Sequence, residues 1–449
     1  MKWLSNTLNQ SAAHPARTLT LLFVLCLAVF LAMLPVPRAD GMLIGSDGIG
    51  YYMYVRSLVI DGDLDFANEY ARLWPEVDVA TRRTPTGRVG NQYALGSGLL
   101  WSPFFLTAHA VILGLRRVGV AVEADGYGAL YQAAVCLGSL VYGALGMGLV
   151  HATAVRFRPR TALAASVLIW FGTNLVYYLV VEPSMSHACS LFATAWLVYA
   201  WVRARPGFRV RDCLLIGLTG GLAGVVRQPD ATLLALPLLD IALRRGAARI
   251  QLTRVTAVCA GFLVGFAPQM ATWWVLNGGP LRSGYLLDPG QGFSWLTPRL
   301  TEVLFSTEHG LFLWHPVLLF ALAGFAFWGR SDRRVATLAV AGILLQAYLI
   351  ASWSSWSQGD AFGGRMFIGA LPLFALGLAA LLDWALDTRV ARVAWALGVG
   401  LIAWNALFVV QYRLGFISMS GPYTLGQLTL GKLEMLTELW RRVAQRMAR

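Results

Sequence analysis

Runs of about 20 apolar residues alternate with short polar loops along this chain, the length at which a helix crosses roughly 30 Å of hydrocarbon. The runs at 19–36, 128–151, 161–181, 186–202, 213–226, 231–243, 255–276, 310–328, 335–352, 366–383 and 393–412 read as spans. They predict an all-α polytopic membrane protein of about eleven transmembrane helices. The first run lacks a small-x-small cleavage site and has many similar successors, unlike a signal peptide. The runs at 213–226 and 231–243 are short and meet at Arg227-Gln228-Pro229-Asp230. A half-depth hairpin with its tip lining a polar cavity fits, because irregular backbone at membrane depth needs protein or water around it. Organisation reads as one membrane domain over 1–412, containing a first external loop at 37–94 with juxtamembrane helices, followed by a tail at 413–449.

The run at 95–115 is ambiguous, and basic residues decide its treatment. If it is re-entrant or surface-lying, one side receives Lys2, Arg17, Arg156, Arg158, Arg160, Arg203, Arg205, Arg209, Arg211, Arg244, Arg245, Arg249, Arg254, Arg330, Arg333, Arg334, Arg389 and Arg392. The opposite short loops beyond 128 then hold only Arg227, Arg282, Arg299 and Arg365. Basic loops belong inside, so the amino terminus is expected in the cytoplasm and the tail outside, with Arg116 and Arg117 external as the cost. The tail has Leu425, Leu428, Leu433, Leu436, Leu439 and Val443 at helical spacing, beside Lys432, Arg441, Arg442 and Arg446. That pattern fits a helix on anionic lipid, although a frayed tail is the plainer alternative.

Composition agrees with the pattern. The 449 residues are 57% hydrophobic and only 13% charged, against roughly 25% charged in a soluble domain. The net charge of +13 is accounted for by loops flanking spans, so no nucleic-acid partner is expected. Cys26, Cys136, Cys189, Cys213 and Cys259 are scattered through apolar segments and read as small buried hydrophobes rather than metal ligands.

With that topology, several polar segments share the external side. The first loop carries Gly45-Ser46-Asp47-Gly48-Ile49-Gly50-Tyr51-Tyr52. Its glycines let backbone approach a ligand, and the carboxylate suits a general base. Helix capping by Ser46 or Asp47 is the competing explanation. Asp61, Asp63 and Asp65 could grip a divalent metal, but no glycine follows in register, and a solvated turn suits them better. Glu182 and His187 join two spans, and Glu308 and His309 open another; such groups pair or line water-filled cavities. Trp353, Trp356, Gly363, Gly364 and Arg365 follow in a later loop. An arginine fork beside bare amides suits a phosphate oxygen, whereas a snorkelling arginine in an aromatic belt is the alternative.

An aspartate soon after the first span, in a long external loop, resembles the GT-C superfamily of membrane glycosyltransferases. The group includes the protein O-mannosyltransferases and the lipid A aminoarabinose transferase of family 39. Tyr93-Ala94-Leu95-Gly96-Ser97-Gly98, Arg227-Gln228-Pro229-Asp230, His309-Gly310-Leu311-Phe312, Trp314-His315-Pro316 and Phe362-Gly363-Gly364-Arg365 add to the likeness, which spans most of the chain. Departures are the absent Lys- or His-Pro-Pro motif, where Asn91-Gln92-Tyr93-Ala94-Leu95-Gly96 stands instead, and the lack of a large carboxy-terminal soluble domain.

The resemblance implies a GT-C-like fold and an inverting transfer from a polyprenyl-phosphate-linked sugar at the outer face of the cytoplasmic (inner) membrane. Asp47 would be the catalytic base, while Arg365, with Arg227, would hold the donor phosphate. Tyr51, Tyr52, Glu182, His187, Asp230, Glu308, His309, Trp353 and Trp356 would line the substrate pocket. No cofactor is assigned, and a divalent metal at Asp61, Asp63 and Asp65 stays open as the weakest element. Two other readings stay open. One is a transporter or flippase of lipid-linked sugars, suggested by the broken hairpin; the other is a non-catalytic subunit of an envelope assembly.

Overall fold

A computed structural model describes residues 14–34, 41–288, 290–329, 332–421 and 423–447. Lys2, Arg330, the end of the first run and the start of the first loop lie outside these, as does the Arg446 side chain. Helices make up 71% of the structure and no strand occurs among the described residues, as an all-α chain requires. Among the described residues, seven helices are long and apolar enough to cross a membrane: Pro15–Met33, Gly96–Arg117, Ala129–Val155, Ala248–Asn277, Arg333–Ser352, Arg365–Leu386 and Ala391–Arg413. Their outward residues include Leu21, Leu25, Val264, Leu344 and Val399, each more than half exposed. Apolar surface on that scale has lipid, not water, as its natural solvent. The architecture fits a multi-pass membrane protein.

Six of these helices coincide with expected spans. The seventh, Gly96–Arg117, is the ambiguous run. It forms 22 uninterrupted helical residues despite Pro103, roughly 33 Å at 1.5 Å per residue, so it has the length to cross and none of the break expected of a re-entrant segment. The other five expected spans fall on shorter, interrupted or less apolar helices. The run at 161–181 divides into Ala162–Gly172 and Leu175–Val180. Asn405 caps that break by donating to the carbonyls of Phe171 at 2.8 Å and Thr173 at 2.7 Å. The run at 310–328 divides at Pro316 into Leu311–Trp314 and Pro316–Ala323, because proline cannot donate to the preceding turn.

The chain packs as two compact units, 1–153 with 178–292, and 154–177 with 293–449. In the first unit, His187–Ala204 is buried almost throughout, as expected of a helix that is apolar on all sides. Val210–Val226 and Ala248–Asn277 pack backbone to backbone. A Cβ on Gly217 would come 2.0 Å from the Val258 carbonyl, and one on Gly261 would come 2.2 Å from the Leu214 carbonyl. Gly221 and Gly265 repeat the contact one turn on, the close approach that small residues four apart permit. The end of Val210–Val226 is thereby fixed, and Arg227 with it.

In the second unit, Pro316–Ala323 packs on Leu371–Leu386, where a Cβ on Gly377 would lie 2.1 Å from the Ala321 carbonyl. The terminal helix Gly431–Met447 is docked by Lys432, which is 2% exposed. Its Nζ donates to the Leu428 carbonyl and lies 3.1 Å from the Phe408 ring centre and 4.1 Å from that of Trp404. The tail is therefore helical rather than frayed over these residues. It leaves Leu433, Trp440 and Val443 exposed.

Candidate functional site

The helix Asp47–Arg56 begins abruptly. Ser46 precedes it with φ 53°, a left-handed conformation uncommon outside glycine and found at functional and turn sites. Its side chain makes no capping bond, so capping does not explain this serine. Asp47 sits in the first turn, where a carboxylate meets the positive end of the helix. One carboxylate oxygen accepts a hydrogen bond of 2.9 Å from the Tyr93 hydroxyl. The glycines after Asp47 serve internal packing: a Cβ on Gly48 would be 2.4 Å from the Ser184 hydroxyl, and one on Gly50 would be 2.0 Å from the Tyr93 ring. They bring the Glu182-to-His187 turn and Tyr93 onto the start of this helix, and are filled by the protein itself.

The segment around Tyr93 is tied on both sides. Asn91 donates to the Gly50 carbonyl at 2.6 Å, and its side-chain carbonyl accepts from the Tyr93 amide at 3.0 Å. Tyr54 donates to the Tyr93 carbonyl at 3.0 Å. Beyond it, the Leu95 amide donates to Gln269 at 2.9 Å, and Gly96 abuts the backbone of Val225 and Val226. The Tyr93-to-Gly98 motif thus connects the Asp47 helix to the residues just before Arg227. Tyr93 also packs edge-on against Tyr51 at 5.1 Å and Tyr285 at 5.9 Å. The Tyr285 hydroxyl is pushed well above its usual range, first by burial, then by Tyr51, Tyr93 and Asp47, with Arg227 pulling the other way.

Arg227 ends its helix in an extended conformation, φ −150° and ψ 119°, and a 3-10 turn over Gln228–Leu234 follows. Its guanidinium lies 3.5 Å from His187 Nδ1, and the His187 ring packs 4.4 Å from that of Tyr178. Asp230 is buried and accepts 2.6 Å from the Ser190 hydroxyl. Tyr52, expected beside Tyr51 in the pocket, is committed elsewhere: it is fully buried and donates to the Gly126 carbonyl at 2.5 Å.

The three acids after this helix bind donors of the protein itself. Asp61 takes Arg56 and Asn68, the latter at 2.8 Å. Asp63 takes the Ser57 hydroxyl at 2.9 Å and the Asp65 amide at 3.1 Å, and Asp65 takes the Ala67 amide at 3.3 Å. No metal-sized cluster of three ligating groups occurs among the described residues. The organising cation is Arg56, buried over the Tyr127 ring at 4.3 Å and bonded to Glu69 at 2.8 Å. Burial pushes Glu69 up to about 7 against the pull of Arg56.

Glu308, His309, Trp353, Trp356 and Arg365 belong to the second unit. His309 is buried at φ 61°. Its Nδ1 is 2.7 Å from the Ser357 carbonyl, and its Nε2 is 3.5 Å from the Tyr423 hydroxyl. Desolvation lowers its pKa, and the Ser357 carbonyl opposes this; the neutral ring suits such a setting. The glycines before Arg365 have an internal cause. Gly363 has φ 65°, and a Cβ there would come 2.1 Å from His315 Nε2. Arg365 is buried close enough to His309 to lower its pKa. Trp353 pairs edge-on with Phe293 at 4.7 Å, and Trp356 lies 5.6 Å from the Arg299 guanidinium.

Tyr93 belongs to the Tyr93-to-Gly98 motif without a role that the sequence pattern gives it, and nothing in the sequence around Tyr285 marks that residue. No protein-family model matches the chain, and no curated protein matches it.

Proposed function

We propose that this protein is an inverting membrane glycosyltransferase of the GT-C kind, using a polyprenyl-phosphate-linked sugar as donor and a hydroxyl group as acceptor. The observation that carries the reading is the grouping, within one unit, of the Asp47 carboxylate on Tyr93 with the Arg227 guanidinium beside His187. Asp47 takes the acceptor proton as the acceptor oxygen attacks the anomeric carbon from the face opposite the phosphate. The bond from that carbon to the phosphate oxygen breaks, and its electron pair leaves with the lipid phosphate. Arg227 stabilises the charge growing there. Tyr93 holds the carboxylate and limits its rotation.

The test is transfer from a polyprenyl-phosphate sugar by purified protein in proteoliposomes. Asp47→Asn should abolish product formation while donor binding stays within about threefold, and Arg227→Ala should weaken donor binding. An Asp47→Asn protein as active as the wild type removes the proposed base. The broken backbone at Arg227 favours a second reading, a transporter of lipid-linked sugars. Lipid-sugar flux without any glycosidic product would favour that reading.

A further inference from the structure

A cavity of about 670 Å³ opens beside the amino-terminal end of the Asp47–Arg56 helix. Ser46, Ile49, Trp74, Glu76, Glu123 and Leu130 are among the residues that line it. Its volume lies within the range of small-molecule sites, roughly 300–1,000 Å³, and accommodates a disaccharide. Its charge runs against that of the protein. In a chain of net charge +13, this lining offers a single arginine, Arg72, against the carboxylates of Glu76, Glu123 and Asp125. Asp125 is occupied by the Tyr127 amide at 3.0 Å, while Glu76 and Glu123 are exposed at the rim. Such a field repels a phosphate and accepts hydrogen bonds from hydroxyl or ammonium donors. The half-exposed Trp74 supplies an aromatic body of the kind that packs against an apolar ring face. Ser46 immediately precedes Asp47, one Cα spacing of about 3.8 Å away.

We propose that this cavity, at the start of the helix that carries Asp47, is the acceptor site and binds a phosphate-free sugar, neutral or amino-bearing. The assignment rests on the transferase reading for the word acceptor, but not for sugar binding itself. It separates the two substrates by charge: the anionic donor goes to the arginine side, and the hydroxyl-rich acceptor to the acidic side.

Saturation-transfer NMR on the full chain in nanodiscs tests it, with maltose, glucosamine and glucose 1-phosphate as probes. Maltose and glucosamine should give signals that glucose 1-phosphate does not match. Leu130→Trp fills the cavity from a half-exposed position, so it leaves the core intact, and should cut the maltose signal at least fivefold. Trp74→Ala should do the same. Equal maltose signals in wild type and Leu130→Trp, or a stronger signal from glucose 1-phosphate, would overturn the site. Transfer assays separate this failure from that of the enzyme reading. If the protein transfers sugar and Leu130→Trp leaves the acceptor KM unchanged, the cavity assignment falls and the enzyme stands. If Leu130→Trp blocks maltose but no transfer occurs, sugar binding stands and the enzyme reading falls.

Discussion

Removing the Tyr93 hydroxyl isolates one atom of the proposed site. In Tyr93→Phe the ring keeps its edge contacts with Tyr51 and Tyr285 and its seat against Gly50, so the helix start retains its packing. Only the 2.9 Å bond to Asp47 disappears. A hydrogen bond to a charged acceptor is worth about 1.5–3 kcal/mol. Asp47 is only half-buried, so water replaces part of it, and the stability cost should be about 1 kcal/mol. Catalysis should lose more, because a carboxylate held by one bond fewer spends less time aimed at the acceptor hydroxyl. A penalty of about 1.4–2.7 kcal/mol in the transition state lowers kcat roughly 10- to 100-fold. The donor KM should hold, since Arg227 and His187 are untouched. Initial rates over a donor series in proteoliposomes, with thermal unfolding of the same preparations, measure both quantities. A Tyr93→Phe enzyme within twofold of wild-type kcat, beside an inactive Asp47→Asn, would refute the orienting role.

Three further outcomes follow from the packing. Gly261→Leu forces a side chain into the Leu214 carbonyl 2.2 Å from its Cβ; overpacking of this kind costs about 1–3 kcal/mol, seen as a fall in Tm together with weakened donor binding at Arg227. Gly363→Ala meets His315 at 2.1 Å and a left-handed φ of 65°, so it should lower Tm by more than Gly359→Ala, which shares the left-handed backbone but has open space around it. Burial pushes the Lys432 ammonium from 10.5 down to about 7. Between those values the undocked tail holds a proton that the docked one has released, so docking strengthens as pH rises through this window and weakens as pH falls towards 7. A spin label at Leu433 should become less mobile from pH 7 to 10, and Lys432→Met should flatten the response; an unchanged response in Lys432→Met would exclude Lys432 as its source.

What was legible in the sequence is what a solvent decides one residue at a time. A bilayer sorts apolar from polar side chains by transfer free energy, so twenty apolar residues in a row announce a helix before any neighbour is known. Pro15–Met33, Ala129–Val155 and Ala391–Arg413 were visible for that reason, as was a carboxylate at Asp47 amid glycines. What the tertiary structure decided is who meets whom. Tyr93 reaches Asp47 across 46 positions, and the Gly217 and Gly261 faces meet across 44. Gly48, Gly50 and Gly363 make room for Ser184, Tyr93 and His315 instead of leaving bare amides for a ligand. The breaks at Thr173 and Pro316 divide runs whose hydropathy is continuous. Each depends on how helices pack side by side, and hydropathy, which averages along one dimension, carries no record of which faces come together.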